Sequence, residues 1–189
     1  MSYTIKEAAF LAGTSKHLSR RWFKKFRGNI NFYELIELHV VSKLKKCGNN
    51  LKTIKKLHKD LCKEYKTEYP FAHKFFPKHI EQPEYGYVTL DSTRLKAKLD
   101  FNKDDILPSQ WHIFNDIVID PKRCSGFPVL TSVNTLTYVL YRSYLADGCY
   151  DLVGRLYDVS SRLVRNSVEF EQMLEERYSE NNYCIWNIF

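Results

Sequence analysis

Two capping boxes, each closed off downstream by a glycine, fix where the first helices of this chain begin and end. Thr4-Ile-Lys-Glu7 sets a hydroxyl to accept an early backbone N–H and a carboxylate to reach back. It predicts a short helix to about Ala12, with Gly13 supplying a tight turn. Thr14 or Ser15 then caps a second helix running to about Phe26. In it Leu18, Trp22 and Phe26 recur every four residues as a buried stripe. Lys16, His17, Ser19, Arg20, Lys24 and Lys25 fall largely on the other faces, with Arg21 near the boundary. Asn31-Phe-Tyr-Glu34 repeats the capping logic and opens a third helix to about Cys47, its inner face lined by Leu35, Leu38, Val41 and Leu44. Gly48 ends it. Leu51, Ile54, Leu57, Leu61 and Tyr65 define a fourth amphipathic helix whose outside carries Lys52, Lys55, Lys56, Lys59, Lys63 and Lys66.

These helices hold the chain's positive charge. Residues 1–66 contain sixteen Lys and Arg against five Asp and Glu, a net of +11; the rest contain thirteen against seventeen, a net of −4. A concentrated basic field on a small helical module suits a polyanion, because each neutralised phosphate releases condensed counterions. Two helices joined by a glycine turn, the second polar at its start and basic on its exposed face, fit a DNA-reading hairpin. An ordinary helical hairpin with solvated lysines satisfies the same pattern.

Pro70 stops the fourth helix, and residues 70–83 form a proline- and aromatic-rich connector. Partial alternation from Tyr85 to Leu90 and from Leu95 to Phe101 predicts a hairpin around Asp91-Ser-Thr. Ile113–Ile119 reads as a further strand. Helices follow at about 134–146, 151–157 and 160–178. The unit at 151–170 repeats the helix–turn–helix plan with mixed charge, Arg155, Arg162 and Arg165 among Asp151, Asp158, Glu169 and Glu171. Dimerisation or protein packing suits it better than DNA reading. The expected fold is mainly α with a small β element. It divides into a helix–turn–helix domain (1–69), a connector with a β-hairpin (70–112), a three-helix C-terminal domain (113–178) and an aromatic tail (179–189).

Two separated blocks carry a resemblance. Tyr3-Thr-Ile-Lys-Glu-Ala-Ala-Phe-Leu-Ala-Gly-Thr-Ser15 with Arg20-Arg-Trp22, the run Asn31 to Gly48 and Ile54-Lys-Lys resemble the opening of a MerR-type helix–turn–helix. Ile119-Asp-Pro121, Gly126-Phe-Pro-Val129 and Tyr157-Asp-Val-Ser160 up to Glu169-Phe-Glu171 resemble the small C-terminal domain of VapB-type antitoxins, a domain-of-unknown-function class. The order and spacing of both blocks match a two-domain antitoxin. The resemblance implies a repressor that binds its own double-stranded operator and neutralises a VapC-like PIN-domain ribonuclease. It also implies a homodimer on DNA or a hetero-oligomer with the toxin. Two departures stand out. Arg27 to Ile30 is too short for a MerR wing, and the family's Gly-Thr-Arg step is Thr131-Ser-Val133 here.

On this reading Ser15, Lys16, His17, Ser19, Arg20 and Arg21 face base edges, where Arg pairs bidentately with guanine. Lys24, Lys25 and Arg27 lie farther along as phosphate clamps. Chain ends are normally polar, yet the last residues carry Tyr178, Tyr183, Ile185, Trp186, Ile188 and Phe189. Such aromatics either fold back on their own domain or anchor a partner. The antitoxin resemblance favours toxin docking, with Arg177 directed at the nuclease's carboxylates. A stand-alone MerR-like regulator, or a nucleoid or RNA-binding protein without a toxin, is the alternative.

Enzyme signatures are missing from the sequence: it shows no nucleophile elbow, P-loop, HExxH or paired-carboxylate motif. His58 and Cys62 share a helix face, and Cys47 or His39 would have to join them to build a metal site. Helical His/Cys pairs are more often packing residues, so no catalytic residue, metal or cofactor is expected. Five scattered cysteines without a CxxC pair argue against a disulfide framework. The opening MSYTIKEAAF has no apolar signal region and no stretch suits a membrane span, so a cytoplasmic protein is expected.

Overall fold

A computed structural model describes residues 2–23, 29–76 and 98–179. The chain is mainly helical, with seven α-helices and four short strands among those residues. It divides into two units, residues 1–109 and 110–189. No helix among the described residues is long and apolar enough to cross a membrane.

In the first unit α1 (Ile5–Leu11) starts on the capping box, Thr4 N–H donating to Glu7 Oε2 at 2.7 Å and Glu7 N–H to Thr4 Oγ1 at 3.3 Å. Gly13 turns the chain at φ 64°, a conformation that a Cβ would strain. α2 (Lys16–Trp22) follows, capped by Ser15, whose hydroxyl accepts Leu18 N–H at 3.1 Å. This helix ends at Trp22, short of the Phe26 expected; residues 24–28 lie outside the described residues. Tyr3 and Ile30 exchange two backbone hydrogen bonds, tying the chain's start to the segment that enters α3.

α3 (Phe32–Lys46) carries the second capping box, Asn31 with Glu34. Its inner positions Leu35, Leu38, Val41 and Leu44 are all buried. α4 (Leu51–Tyr65) presents Ile54, Leu57 and Leu61 to Val40, Val41 and Leu44, and exposes Lys52, Lys56, Lys59 and Lys63. Within Pro70–Phe76, expected as part of a connector, Phe71 and Phe76 join this core while Phe75 is exposed. Phe71 and Phe76 are fully buried in the same cluster. A two-residue strand, β1 (Leu99–Asp100), lies near the end of the unit, which continues without further helix or strand among the described residues to Ser109. The proposed hairpin strand at Tyr85–Leu90, and all of Leu95–Phe101 before Lys98, lie outside the described residues.

The second unit opens with a β-meander. β2 (Gln110–Phe114) pairs antiparallel with β3 (Ile117–Ile119), Trp111 opposite Ile119, with a register shift between His112 and Phe114. β3 pairs in turn with β4 (Val129–Leu130). The single strand expected over Ile113–Ile119 is therefore a hairpin. Its chain reverses at Asp116, at φ 56°, and the carboxylate there accepts from Arg162 and Asn166 at 2.7 and 2.9 Å. Three helices complete the unit: α5 (Thr137–Asp147), α6 (Tyr150–Tyr157) and α7 (Ser161–Ser179). α6 and α7 are joined by a tight turn with Asp158 in the left-handed region.

Between β3 and α5, Arg123 gathers the loop that includes Thr131-Ser-Val133. It donates to Asn134 Oδ1 at 2.6 Å and to the carbonyls of Leu130, Thr131 and Val133 at 2.8, 3.3 and 2.7 Å. One planar guanidinium thus bonds three backbone carbonyls and a side-chain amide.

Candidate nucleic-acid interface

The exposed face of α2 holds Ser15, His17, Arg20 and Arg21, with Lys16 half-buried at its start. The helix contains no acid, so nothing on it neutralises the arginines. Ser19 is a correction. It is fully buried, and its hydroxyl donates to the Ser15 carbonyl at 3.0 Å. A small hydroxyl satisfied within its own helix can turn inward at little cost, so Ser19 leaves the set of contact residues. Lys24, Lys25 and Arg27 lie outside the described residues.

The inner side of α2 explains how it is held. Leu18 and Trp22 pack on the core formed by α3, α4 and Phe71. Lys55 Nζ donates to the Arg21 carbonyl at 2.5 Å and lies 5.8 Å from the Trp22 ring centroid. One end of α2 is thereby fastened to α4, the helix that exposes Lys52, Lys56, Lys59 and Lys63.

Beneath Trp22 sits a group that sequence patterning missed. Glu37 is buried, with its Oε2 2.8 Å from His58 Nε2 and its Oε1 accepting Phe71 N–H at 2.7 Å. Burial pushes its carboxyl above the usual range, while His58 and the backbone amides pull the other way. The available signal was an acid inside the apolar run Leu35-Ile36-Glu37-Leu38.

Of the residues considered for a metal, His58 and Cys62 meet each other and His39 is engaged elsewhere. Cys62 Sγ lies 3.5 Å from His58 Nδ1, and burial first, then Glu37 and Glu68, push the thiol up to about 11. His39 donates from Nδ1 to the Ala12 carbonyl at 3.3 Å; burial and nearby lysines bring it down to about 3. Among the described residues no three His, Cys, Asp or Glu gather in a metal-holding group.

Of the expected partner-binding set, Arg177 is half-buried and directs Nη2 to Met173 Sδ at 3.3 Å, and burial lowers its pKa. The side chain of Tyr178 and all of Tyr183, Ile185, Trp186, Ile188 and Phe189 lie outside the described residues.

Among solved structures the chain is similar to the crystal structure of Rv2018 from Mycobacterium tuberculosis. The TM-score is 0.70 at 15% identity, over 88% of this chain and 96% of that one. Identity that low speaks to the fold alone. No family model matches the chain, and no curated protein matches it.

Proposed function

We propose that this protein is a DNA-binding antitoxin. Its first unit is a MerR-like helix–turn–helix without a wing that represses its own operon through α2. Its C-terminal end neutralises a VapC-like PIN-domain ribonuclease. The observation that carries the DNA half is the acid-free exposed face of α2, with His17, Arg20 and Arg21 outward and the helix fastened to the lysine-bearing α4. Arg20 and Arg21 supply the bidentate donors that read guanine, and Ser15 and His17 supply adaptable ones. The α4 lysines add charge without sequence information. The toxin half is supported by the resemblance of the C-terminal blocks and by the aromatic composition of residues 179–189.

The test is a gel-shift titration on the protein's own promoter at physiological salt. Arg20→Ala with Lys16→Ala abolishes the operator shift while circular dichroism stays unchanged; undiminished binding by that variant removes α2 from the contact. Deleting residues 179–189 releases ribonuclease activity of the neighbouring gene's product and leaves operator binding intact. Retained neutralisation removes the tail.

A further inference from the structure

The proposed DNA contact leaves one buried polar cluster without a role. Glu37 and His58 are drawn from α3 and α4, twenty-one residues apart in sequence, and placed under the end of α2. A buried charged or proton-sharing pair is a poor source of stability, because apolar side chains of similar volume fill the same space without the desolvation cost. What the pair does hold is the orientation of an imidazole. His58 meets Glu37 Oε2 at Nε2 and the Cys62 thiol at Nδ1, so both ring nitrogens are engaged and the ring plane is set. With the proton on Nε2, that nitrogen faces the carboxylate at ion-pair distance and Nδ1 accepts from the thiol, which burial keeps protonated.

The oriented ring is a template for aromatic packing. It stands edge-on to Trp22 (centroids 5.1 Å apart, planes at 87°) and edge-on to Phe71 (5.1 Å, 81°). Trp22 and Phe71 lie nearly parallel, 6.1 Å apart. Phe71 is itself fixed by the same carboxylate, through its backbone N–H to Glu37 Oε1. Edge-to-face geometry is preferred for aromatic pairs and is directional, unlike aliphatic contact. Trp22 is the last residue of α2, and Arg20 and Arg21 immediately precede it. A swing of Trp22 therefore re-aims both arginines, and bidentate pairing with a base tolerates little misplacement.

We infer that Glu37 and His58 are positioning residues that set the angle of α2 through Trp22, supplying sequence discrimination rather than stability. This rests on α2 being the DNA-reading helix. Phosphate contacts survive a small tilt of the helix because they depend on charge more than on direction; base contacts do not.

The experiment uses the full chain and two fluorescent duplexes, its own promoter and a scrambled sequence of equal length. The double variant Glu37→Gln/His58→Leu removes the ring while Gln keeps an acceptor for Phe71 N–H. It is expected to melt within a few degrees of wild type and to bind the scrambled duplex unchanged. Its promoter-to-scrambled affinity ratio falls about tenfold, a coupling typical of side chains in contact. Amide exchange in α2 accelerates in the same variant. The single variant Glu37→Gln retains the ring and the acceptor for Phe71 N–H, and its NH2 donates to Nε2 once the imidazole proton moves to Nδ1, facing the Cys62 sulfur; it keeps the wild-type ratio. If the double variant fails to fold, His58→Gln replaces it, keeping a donor for Glu37 without the ring edge, with the same loss expected. A wild type that discriminates and a variant that discriminates equally well overturn the inference alone. A wild type with no preference for its promoter overturns the DNA reading beneath it, whatever the exchange rates.

Discussion

Thr137 Oγ1 donates to Glu171 Oε1 at 2.5 Å, and one turn along each helix Tyr141 donates to Glu175 Oε2 at 2.6 Å. Two hydroxyls of α5 thus face two carboxylates of α7. Glu171 is buried, and its Oε2 has no hydrogen-bond partner among the described residues. Burial, opposed by Thr137 and reinforced by the charge of Glu175, lifts its carboxyl to about 7.

A folded-state pKa above the ordinary value means that the folded chain holds this proton more tightly than the unfolded one. Stability from Glu171 is therefore present in acid and is lost as pH rises from about 4.5 to about 7, on the order of 3 kcal/mol in total. Urea unfolding of Glu171→Gln, which keeps an acceptor for Thr137 and does not titrate, shows a shallower decline from pH 5 to pH 8 than wild type. Glu37 is shifted in the same direction, so the comparison is between variant and wild type, not between either and a flat line. Parallel curves would mean that Glu171 is ionised in the folded protein throughout.

His39 works in the opposite sense. Its folded pKa of about 3 lies well below the ordinary 6.5, owing first to burial and then to Lys43 and Lys98. Its contribution is complete above about pH 6.5 and is lost as pH falls, because the unfolded chain takes up a proton that the folded one refuses. His39→Gln retains an N–H for the Ala12 carbonyl and removes the titration. It is expected to exceed wild type near pH 4.5 by on the order of 3 kcal/mol and to match it at about pH 8. Chemical denaturation at the two values reads the crossing, and a constant offset between the proteins would rule it out.

Much of this fold could be read from local signals, and what escaped is non-local. The boxes Thr4/Glu7 and Asn31/Glu34 close as their spacing requires, because capping partners lie three residues apart and need nothing from the rest of the chain. α5, α6 and α7 begin within about three residues of where turn residues and periodicity place them. The hairpin at Ile113–Ile119 reads as one strand because apolar residues flank it on both sides; its mark is the turn pair Asn115-Asp116, the second in the left-handed region. Pro70 and its aromatics look like a linker until Phe71 and Phe76 are seen to fill the space between α3 and α4. In the candidate site the outward Arg20 followed from helical spacing, while Arg21, placed near the boundary, is exposed as well. Ser19 did not follow from it, since a residue that small fits either side of the helix. Glu37 shows in the sequence only as an acid within an apolar run; its partners, His58 and Phe71, are brought to it by tertiary folding.

Arg123 makes a prediction about the loop where the antitoxin resemblance is weakest. Its guanidinium is bound to three carbonyls and to Asn134, and lysine cannot reproduce that fork. Arg123→Lys keeps the charge and is expected to destabilise the protein by about 1–3 kcal/mol, the cost of leaving backbone acceptors underbonded. Equilibrium unfolding measures this directly. An unchanged midpoint would show that solvent satisfies the carbonyls equally well.

Gly154 offers the sharpest test of the turn between α6 and α7. In a helix interior, replacing glycine by alanine ordinarily stabilises by about 1 kcal/mol, since the unfolded chain loses freedom. Here a Cβ would stand 2.6 Å from the Val159 carbonyl oxygen and 3.3 Å from the Ser161 nitrogen. Both neighbours are backbone, and Val159 N–H already donates to the Gly154 carbonyl at 2.9 Å, so the turn is held against the helix at its closest point. Relief requires the turn to move away, breaking that bond and shifting the start of α7, where Arg162 reaches Asp116. The overpacking term exceeds the propensity gain, and Gly154→Ala is expected to lose about 1–3 kcal/mol. A thermal melt of the variant decides the sign, and a rise in melting temperature would mean that the two helices are not packed through this residue.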